Sequence, residues 1–139
     1  MRLSDHTVLT FDVYGTLIDW ESGIVEGLRP LTDRAGRELS RNEILEAHAF
    51  HESTAQKQTP AKPYPQLLAN VHRRLAEEWG IAATWEEALA YGASVKDWPA
   101  FPDSADALAY LKRHFRLAVL TNVDNASFEA SAARLGVAF

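Results

Sequence analysis

The sequence predicts an α/β fold: a parallel-sheet core whose first strand-to-strand connection is interrupted by a helical insertion. Two short runs, Val8–Phe11 with its β-branched and aromatic residues and the continuously apolar Leu117–Leu120, read as buried strands. Between them lie about 75 residues of helical periodicity, followed by one more helical segment before the second strand. Strand, helical insertion, helix, strand is a βαβ unit carrying an insertion, and such a unit joins parallel strands.

The first element is Thr7–Asp19, TVLTFDVYGTLID, in which the apolar run ends abruptly on Asp12. An aspartate there stands at a strand's carboxyl end, the edge where the loops of an open parallel sheet form the ligand crevice. Gly15 gives the backbone freedom for a sharp exit, and Thr16 offers a hydroxyl close to the carboxylate. A carboxylate presented in this way can act as a nucleophile.

The insertion then reads as a small helical bundle. Ser22 is a candidate cap for a helix carrying Ile24, Val25, Leu28 and Leu31, which Pro30 is expected to end or kink. Ser40-Arg41-Asn42-Glu43 is a capping-box pattern opening a helix with Ile44, Leu45 and Phe50. Thr59–Pro65, TPAKPYP, holds three prolines and reads as a connection. Leu67, Leu68, Val71, Leu75 and Trp79 recur at helical spacing up to Gly80, a suitable stop. Thr84-Trp85-Glu86-Glu87 is a second capping box, ahead of Leu89 and Tyr91.

A proline-bounded stretch, Asp97–Asp103, leads back to the core. A helix over about Asp103–His114, with Ala107, Leu108 and Leu111 apolar, precedes the strand Leu117–Leu120, which ends on Thr121-Asn122. A last helix, roughly Asn125–Leu135, stops at Gly136, and Val137–Phe139 starts like a third strand. Thr121 and Asn122 either present a hydroxyl and an amide beside Asp12 or merely cap this helix, with Asp124 and Asn125 as rival caps.

Composition bounds the function. The 139 residues suit one domain of ordinary size, and 47% hydrophobic content can bury a core. A net charge of −5, with 14 Lys and Arg in no long block, gives no electrostatic case for nucleic acid. The chain has no cysteine, so it forms no disulfide or thiolate site. The N-terminus lacks the long apolar segment of a signal peptide, and no run approaches a membrane span. A soluble cytoplasmic protein is expected. Isolated histidines without matched ligand spacing make no convincing metal site. His48, His51, Glu52 and Gln56 fall at helical spacings and could in part face a site, although a solvated helix face is the favoured reading; His48 and Glu52 can pair at i,i+4.

The spacing Asp12-Val13-Tyr14-Gly15-Thr16-Leu17 resembles the first motif of the haloacid dehalogenase (HAD) superfamily, whose members attack substrate with that first aspartate. LAVLTN resembles the second motif, a Ser or Thr at the end of the second core strand, and Asn122 matches the residue that follows it in dehalogenases. Phosphatase members carry a second aspartate two residues after the first as general acid. Tyr14 stands there instead, as in type II 2-haloacid dehalogenases. The resemblance implies a HAD-like Rossmannoid core, here partial, at residues 1–19 and 96–139, with a helical cap at 20–95. It also implies a site between core and cap containing Asp12, Tyr14, Thr16, Thr121 and Asn122.

Two departures qualify the resemblance. The family's third-motif lysine and fourth-motif acidic or amide residues lie beyond the third strand, and no lysine follows Lys112, so the chain resembles a form truncated before them. The arginine with which type II dehalogenases hold the halogen has no counterpart in Ile44-Leu45-Glu46-Ala47-His48, and Arg41 lies at the capping box.

The implied reaction is attack of Asp12 on a carbon bearing the leaving group, followed by hydrolysis of the ester. A departing halide needs no proton, whereas an alkoxide leaving a phosphate ester does. Tyr14 therefore ranks C–halogen cleavage of a small molecule such as a 2-haloacid first, without a cofactor. A Mg²⁺-dependent small-molecule phosphatase is the second reading. A non-catalytic fragment that self-associates is the third. In the family's strand order the first strand is central, so a chain ending at Phe139 would leave it an open apolar edge, and a homo-oligomer is expected.

Overall fold

The structure, a computed structural model, describes residues 2–139. It is a helix-rich α/β fold with one two-stranded parallel sheet and six α-helices, and it separates into two compact units. One comprises the residues up to Trp20 together with Lys96–Phe139; the other is Glu21–Val95. Among the described residues no helix is long and apolar enough to cross a membrane.

In the first unit, β1 (Val8–Phe11) pairs in parallel with β2 (Arg116–Val119), in the register Val8↔Arg116 through Phe11↔Val119. β2 starts one residue earlier than its apolar run suggests. The reason is the bond from Arg116 N–H to the Thr7 carbonyl, 2.9 Å, which opens the ladder, while Leu120 donates to Phe11 and turns out to solvent at 79% exposure. Helix α5 (Ser104–Lys112) and helix α6 (Asn125–Leu135) accompany the sheet. α5 is shorter than the expected 103–114: only Leu108 of its apolar positions is fully buried, and Ala107 is exposed. α6 ends where Gly136 takes φ +73°, the left-handed cap that favours glycine. Val137–Phe139 is not a strand; no partner lies beside it among the described residues, and the Ala138 carbonyl instead accepts from Lys112 Nζ at 2.6 Å.

The exit from β1 is a tight turn. The Val13 carbonyl accepts from Thr16, Leu17 and Ile18 N–H at 3.2, 2.7 and 2.9 Å. Gly15 holds φ +98°, and a Cβ there would meet Trp20 Nε1 at 3.0 Å, so glycine is required on both counts. The returning chain is tied to this turn. Asp19 N–H donates to Pro99 (2.8 Å), Phe101 N–H donates to Leu17 (3.1 Å), and buried Ser104 Oγ donates to the same Leu17 carbonyl (2.8 Å). Val13, Leu17, Ile18, Trp98, Leu108, Leu117 and Leu135 form this unit's core.

The second unit holds most of α1 (Trp20–Thr32), and all of α2 (Arg41–Gln58), α3 (Tyr64–Glu78) and α4 (Trp85–Gly92). α1 begins two residues before the expected cap Ser22, and Pro30 lies inside it rather than ending it. The cost is contained because Pro30 sits in the last turn, where one missing N–H breaks one helical bond, while Leu28 and Leu31 on either side are fully buried and hold the segment. Both capping boxes form: Ser40 with Glu43, and Thr84 with Glu87. α3 starts within the proline stretch, with Pro65 in its first turn, where a missing N–H is harmless. Two apolar positions assigned inward are outward: Phe50 is 67% exposed and Leu89 is also exposed.

The burial position Phe50 was expected to share belongs instead to His48, which is fully buried. Its Nε2 pairs with Tyr91 Oη at 2.7 Å, and its Nδ1 stands 3.4 Å from Glu52 Oε2, an ion-pair separation. Glu52 accepts from Tyr64 Oη at 2.9 Å. His48 and Glu52 are therefore part of an internal polar network across α2, α3 and α4, with their i,i+4 pairing present as expected, whereas Gln56 is exposed and His51 pairs with Glu78. The Tyr91 hydroxyl is pushed well above its usual pKa by burial and then by the Glu52 charge, so it stays protonated.

α3 and α4 pack with unusually close backbones at one point. A Cβ on Gly92 would overlap the Pro65 carbonyl oxygen. Gly→Ala in a helix ordinarily stabilises by about 1 kcal/mol. Here the methyl must displace backbone, so Gly92→Ala is expected to destabilise by roughly 1–3 kcal/mol. A urea midpoint unchanged or raised in this variant would show that the helices can part without cost.

His72, on α3, lies under the Tyr91 ring with centroids 5.5 Å apart, and its Nδ1 has no hydrogen-bond partner. Burial lowers its pKa below 6.5, Arg34 lowers it further and Glu87 partly opposes this. A group with a depressed folded pKa binds protons more readily when unfolded, so its contribution is fully present above about pH 6.5 and lost as pH falls from there toward the folded value. The lowered carboxylates Glu43, Glu52 and Glu87 act in a separate window, below 4.5. Urea unfolding at pH 7.5 and 5.5 is expected to show a lower midpoint at 5.5, with the difference reduced in His72→Phe.

Candidate active site

Parallel register brings the ends of β1 and β2 to one edge, and the residues that follow them meet there. Asp12, Thr121 and Asn122, with Thr10, Phe11 and Leu120, line an open pocket of about 320 Å³. The turn after β1 returns Thr16 to the same place: its Oγ1 donates to Asp12 Oδ2 at 3.3 Å. Four of the five candidate residues thus come together on the first unit alone. Asp12 is exposed, so one carboxylate oxygen has a fixed donor while the carboxylate stays accessible. Thr121 and Asn122 do not cap α6. Asp124 does so, accepting from Ser127 N–H at 3.0 Å and from Ser127 Oγ at 2.9 Å. The two residues are thereby left to line the pocket.

Tyr14 is placed differently. Its hydroxyl bonds Ser131 Oγ at 2.9 Å, and its ring meets Trp98 edge-on with centroids 5.8 Å apart. Burial, the largest cause, and the Asp124 charge raise its pKa, outweighing the Ser131 bond. The phenol is therefore a protonated packing element that ties the β1 exit to α6. Ser131, almost fully buried, was not singled out in the sequence; its signal is the spacing Ser127, Ser131 and Leu135 along one face of α6, all buried. Arg41, at the start of α2, pairs at 3.4 Å with Glu21.

The metal question turns on the donors present. Mg²⁺ is held by carboxylates and water in octahedral geometry, and among the described residues no group of three or more His, Asp or Glu is placed to hold a metal ion. The residues around Asp12 supply one carboxylate, two hydroxyls and an amide, which do not by themselves make such a site.

A strand-end aspartate with a hydroxyl beside it, on a parallel sheet whose first connection carries a helical insertion, is the arrangement to set against known families. A family model, that of the haloacid dehalogenase-like hydrolases, matches residues 6–139, and the chain belongs to this family. No curated protein matches. Among solved structures the chain is similar to the L-2-haloacid dehalogenase PA0810, with TM-score 0.77 and 25% identity over 96% of this chain and 59% of that one. It is also similar to the L-2-haloacid dehalogenase of Xanthobacter autotrophicus, with TM-score 0.74 and 18% identity over 94% of this chain and 52% of that one; that enzyme has also been solved with chloropropionic acid covalently bound. The HAD-hydrolase YfnB of Bacillus subtilis, bound to magnesium, gives TM-score 0.68 and 17% identity over 94% and 59%. The chain thus spans between 52% and 59% of the length of these three neighbours.

Replacing Tyr14 by phenylalanine removes the 2.9 Å bond and leaves Ser131 Oγ with its 3.4 Å contact to the Ser127 carbonyl. A loss of about 1 kcal/mol is expected. Urea unfolding of Tyr14→Phe checks it; an unchanged midpoint would mean the bond contributes nothing to the native state.

Proposed function

We propose that this chain carries the nucleophile side of a hydrolase that cleaves the carbon–halogen bond of a small 2-haloacid. The observation that carries this reading is the joint placement of Asp12, Thr121 and Asn122 in one pocket, with no second aspartate two residues on. An oxygen of Asp12 attacks C2 of the substrate; the C2–O bond forms as the C2–halogen bond breaks, and the halide leaves with the bonding pair. Water then adds to the Asp12 side-chain carbonyl carbon, releasing the 2-hydroxyacid, one proton and the restored carboxylate. Thr121 and Asn122 supply a hydroxyl and an amide that can hydrogen-bond the substrate carboxylate, and Thr16 steadies the oxygen of Asp12 not engaged in attack. Tyr14 is engaged with Ser131 in packing, and a departing halide requires no proton from it. The Xanthobacter neighbour with chloropropionic acid covalently bound supports the same class of intermediate here.

One observation favours a second reading. The magnesium-bound neighbour is a HAD-hydrolase, and phosphate-ester cleavage assisted by a metal is the chemistry such binding would serve. A single assay separates the two. In a complete form that supplies the third-motif lysine, halide release from 2-chloropropionate in the presence of a chelator is expected, and Asp12→Asn, nearly isosteric, is expected to lower it by a factor on the order of 10⁴ or more without loss of fold. In a single turnover in ¹⁸O-water the label should appear in Asp12 and not in the 2-hydroxyacid. Phosphate-ester hydrolysis that requires added Mg²⁺, with no halide release, would reverse the order of the two readings.

A further inference from the structure

The charge of the chain is unevenly laid out. Residues 53–76 contain Lys57, Lys62, Arg73 and Arg74 and no Asp or Glu at all, in a chain whose net charge is −5. The fold gathers most of this charge at one place in the helical unit. The C-terminal half of α2, the connection after it and the middle of α3 enclose a groove of about 460 Å³, whose polar lining includes His51, Gln58, Lys62, Asn70, Arg73 and Arg74.

The carboxylates nearby do not neutralise it. Arg74 and Arg73 share a single one, Glu77, at 3.0 and 3.9 Å. His51 holds Glu78 at 2.6 Å, which draws that carboxylate out of competition for the arginines. Lys62 has no ion-pair partner among the described residues. The contrast with a second groove of similar size is informative. Arg29, Arg37 and Arg41 line that one, and each is paired to its own glutamate: Glu26, Glu43 and Glu21. Guanidinium and ammonium groups left in excess beside amide donors, in a concave polar space, match an oxyanion with two or more charges. A concave volume of this size suits a small molecule, and a chain with net −5 is repelled overall by a polyanion such as nucleic acid.

We propose that the α2–α3 groove is a binding site for a small, multiply charged oxyanion of phosphate or polycarboxylate chemistry, held by Lys62, Arg73 and Arg74. The site lies wholly in the helical unit and does not depend on the chemistry of Asp12.

The test is titration of the chain with pyrophosphate and, separately, with citrate, followed by backbone amide NMR, with sodium chloride at matched ionic strength as control. Saturable shifts confined to residues 51–74 are expected, with an apparent Kd that rises as salt is added. The arm that saturates at the lower concentration assigns the ligand to phosphate or to polycarboxylate chemistry. Lys62→Ala with Arg73→Ala, both outside the core, is expected to weaken binding at least tenfold, with helical circular dichroism unchanged. The same loss of two charges at Arg113 and Arg116, in the other unit, is expected to leave the affinity as it was. Shifts that stay linear in concentration, that chloride reproduces, or that persist in the double variant would overturn the proposal.

Discussion

The structure depends on the parallel pairing of two four-residue strands. Antiparallel pairing would send the chain out at opposite ends, whereas the register Phe11↔Val119 forces Asp12 and Leu120 to leave the sheet at the same edge. Everything chemical in the first unit follows from that. The pocket is no more than the space between two chain exits, lined by the last two residues of β1 with Asp12 after them and by the three residues that follow β2. A parallel pair needs a long crossover, and this chain places a 75-residue helical unit within it. The insertion could pull the two exits apart; three hydrogen bonds, from Asp19, Phe101 and Ser104, instead tie its beginning to its end beside the β1 turn. The Val13 carbonyl, with three N–H groups directed at it, fixes that turn independently of anything in the helical unit.

How much of this could be read from residues alone depended on whether the determining contact is local. The capping boxes at Ser40 and Thr84 and the left-handed stop at Gly136 are decided within four or five residues, and they form where expected. The pocket trio Asp12, Thr121 and Asn122 was also legible, because a strand's end and its direction suffice to place the residue that follows it. His48 was not. Its burial is decided by Tyr91, 43 residues away, and by Tyr64 reaching Glu52; nothing in Ile44–Phe50 says that the histidine and not the phenylalanine turns inward. Pro30 lies two residues before the end of α1 and not at it, because a proline's local cost is outweighed where flanking leucines are completely buried. Val137–Phe139 has the composition of a strand, but a strand is defined by a partner, and the Ala138 carbonyl is taken by a lysine side chain.

Tyr14 shows the same division between identity and role. A tyrosine two residues after a nucleophilic aspartate can be read from the sequence as the absence of a general acid. What it does instead requires coordinates: it is an anchor, bonded to Ser131 and edge-packed on Trp98. Burial and the Asp124 charge disfavour the phenolate, so the hydroxyl stays protonated and bonded to Ser131, which ties the β1 exit to α6. The position is occupied by packing, and the proposed dehalogenation asks no proton of it, because a halide leaves as a stable anion.

The helical unit applies opposite treatment to its charges in two places. Inside, each polar atom of the His48–Glu52–Tyr64–Tyr91 set faces another within 3.4 Å, because an uncompensated charge in an apolar interior would cost far more than the pairing returns. At the α2–α3 surface, cations outnumber the carboxylates that reach them, and the stretch that supplies them omits acidic residues for 24 positions. Exposed charges tolerate this imbalance because water screens them, so stability neither requires the acid-free stretch nor forbids it. Acidic partners three or four positions away support an exposed helical face, and both grooves use them: Glu26 serves Arg29, while Glu77 serves Arg73 and Arg74 together. At one concave surface Lys62, Arg73 and Arg74 have only Glu77 between them, while at the neighbouring one each arginine has its own glutamate, and the proposed oxyanion would supply the negative charge that the first surface lacks.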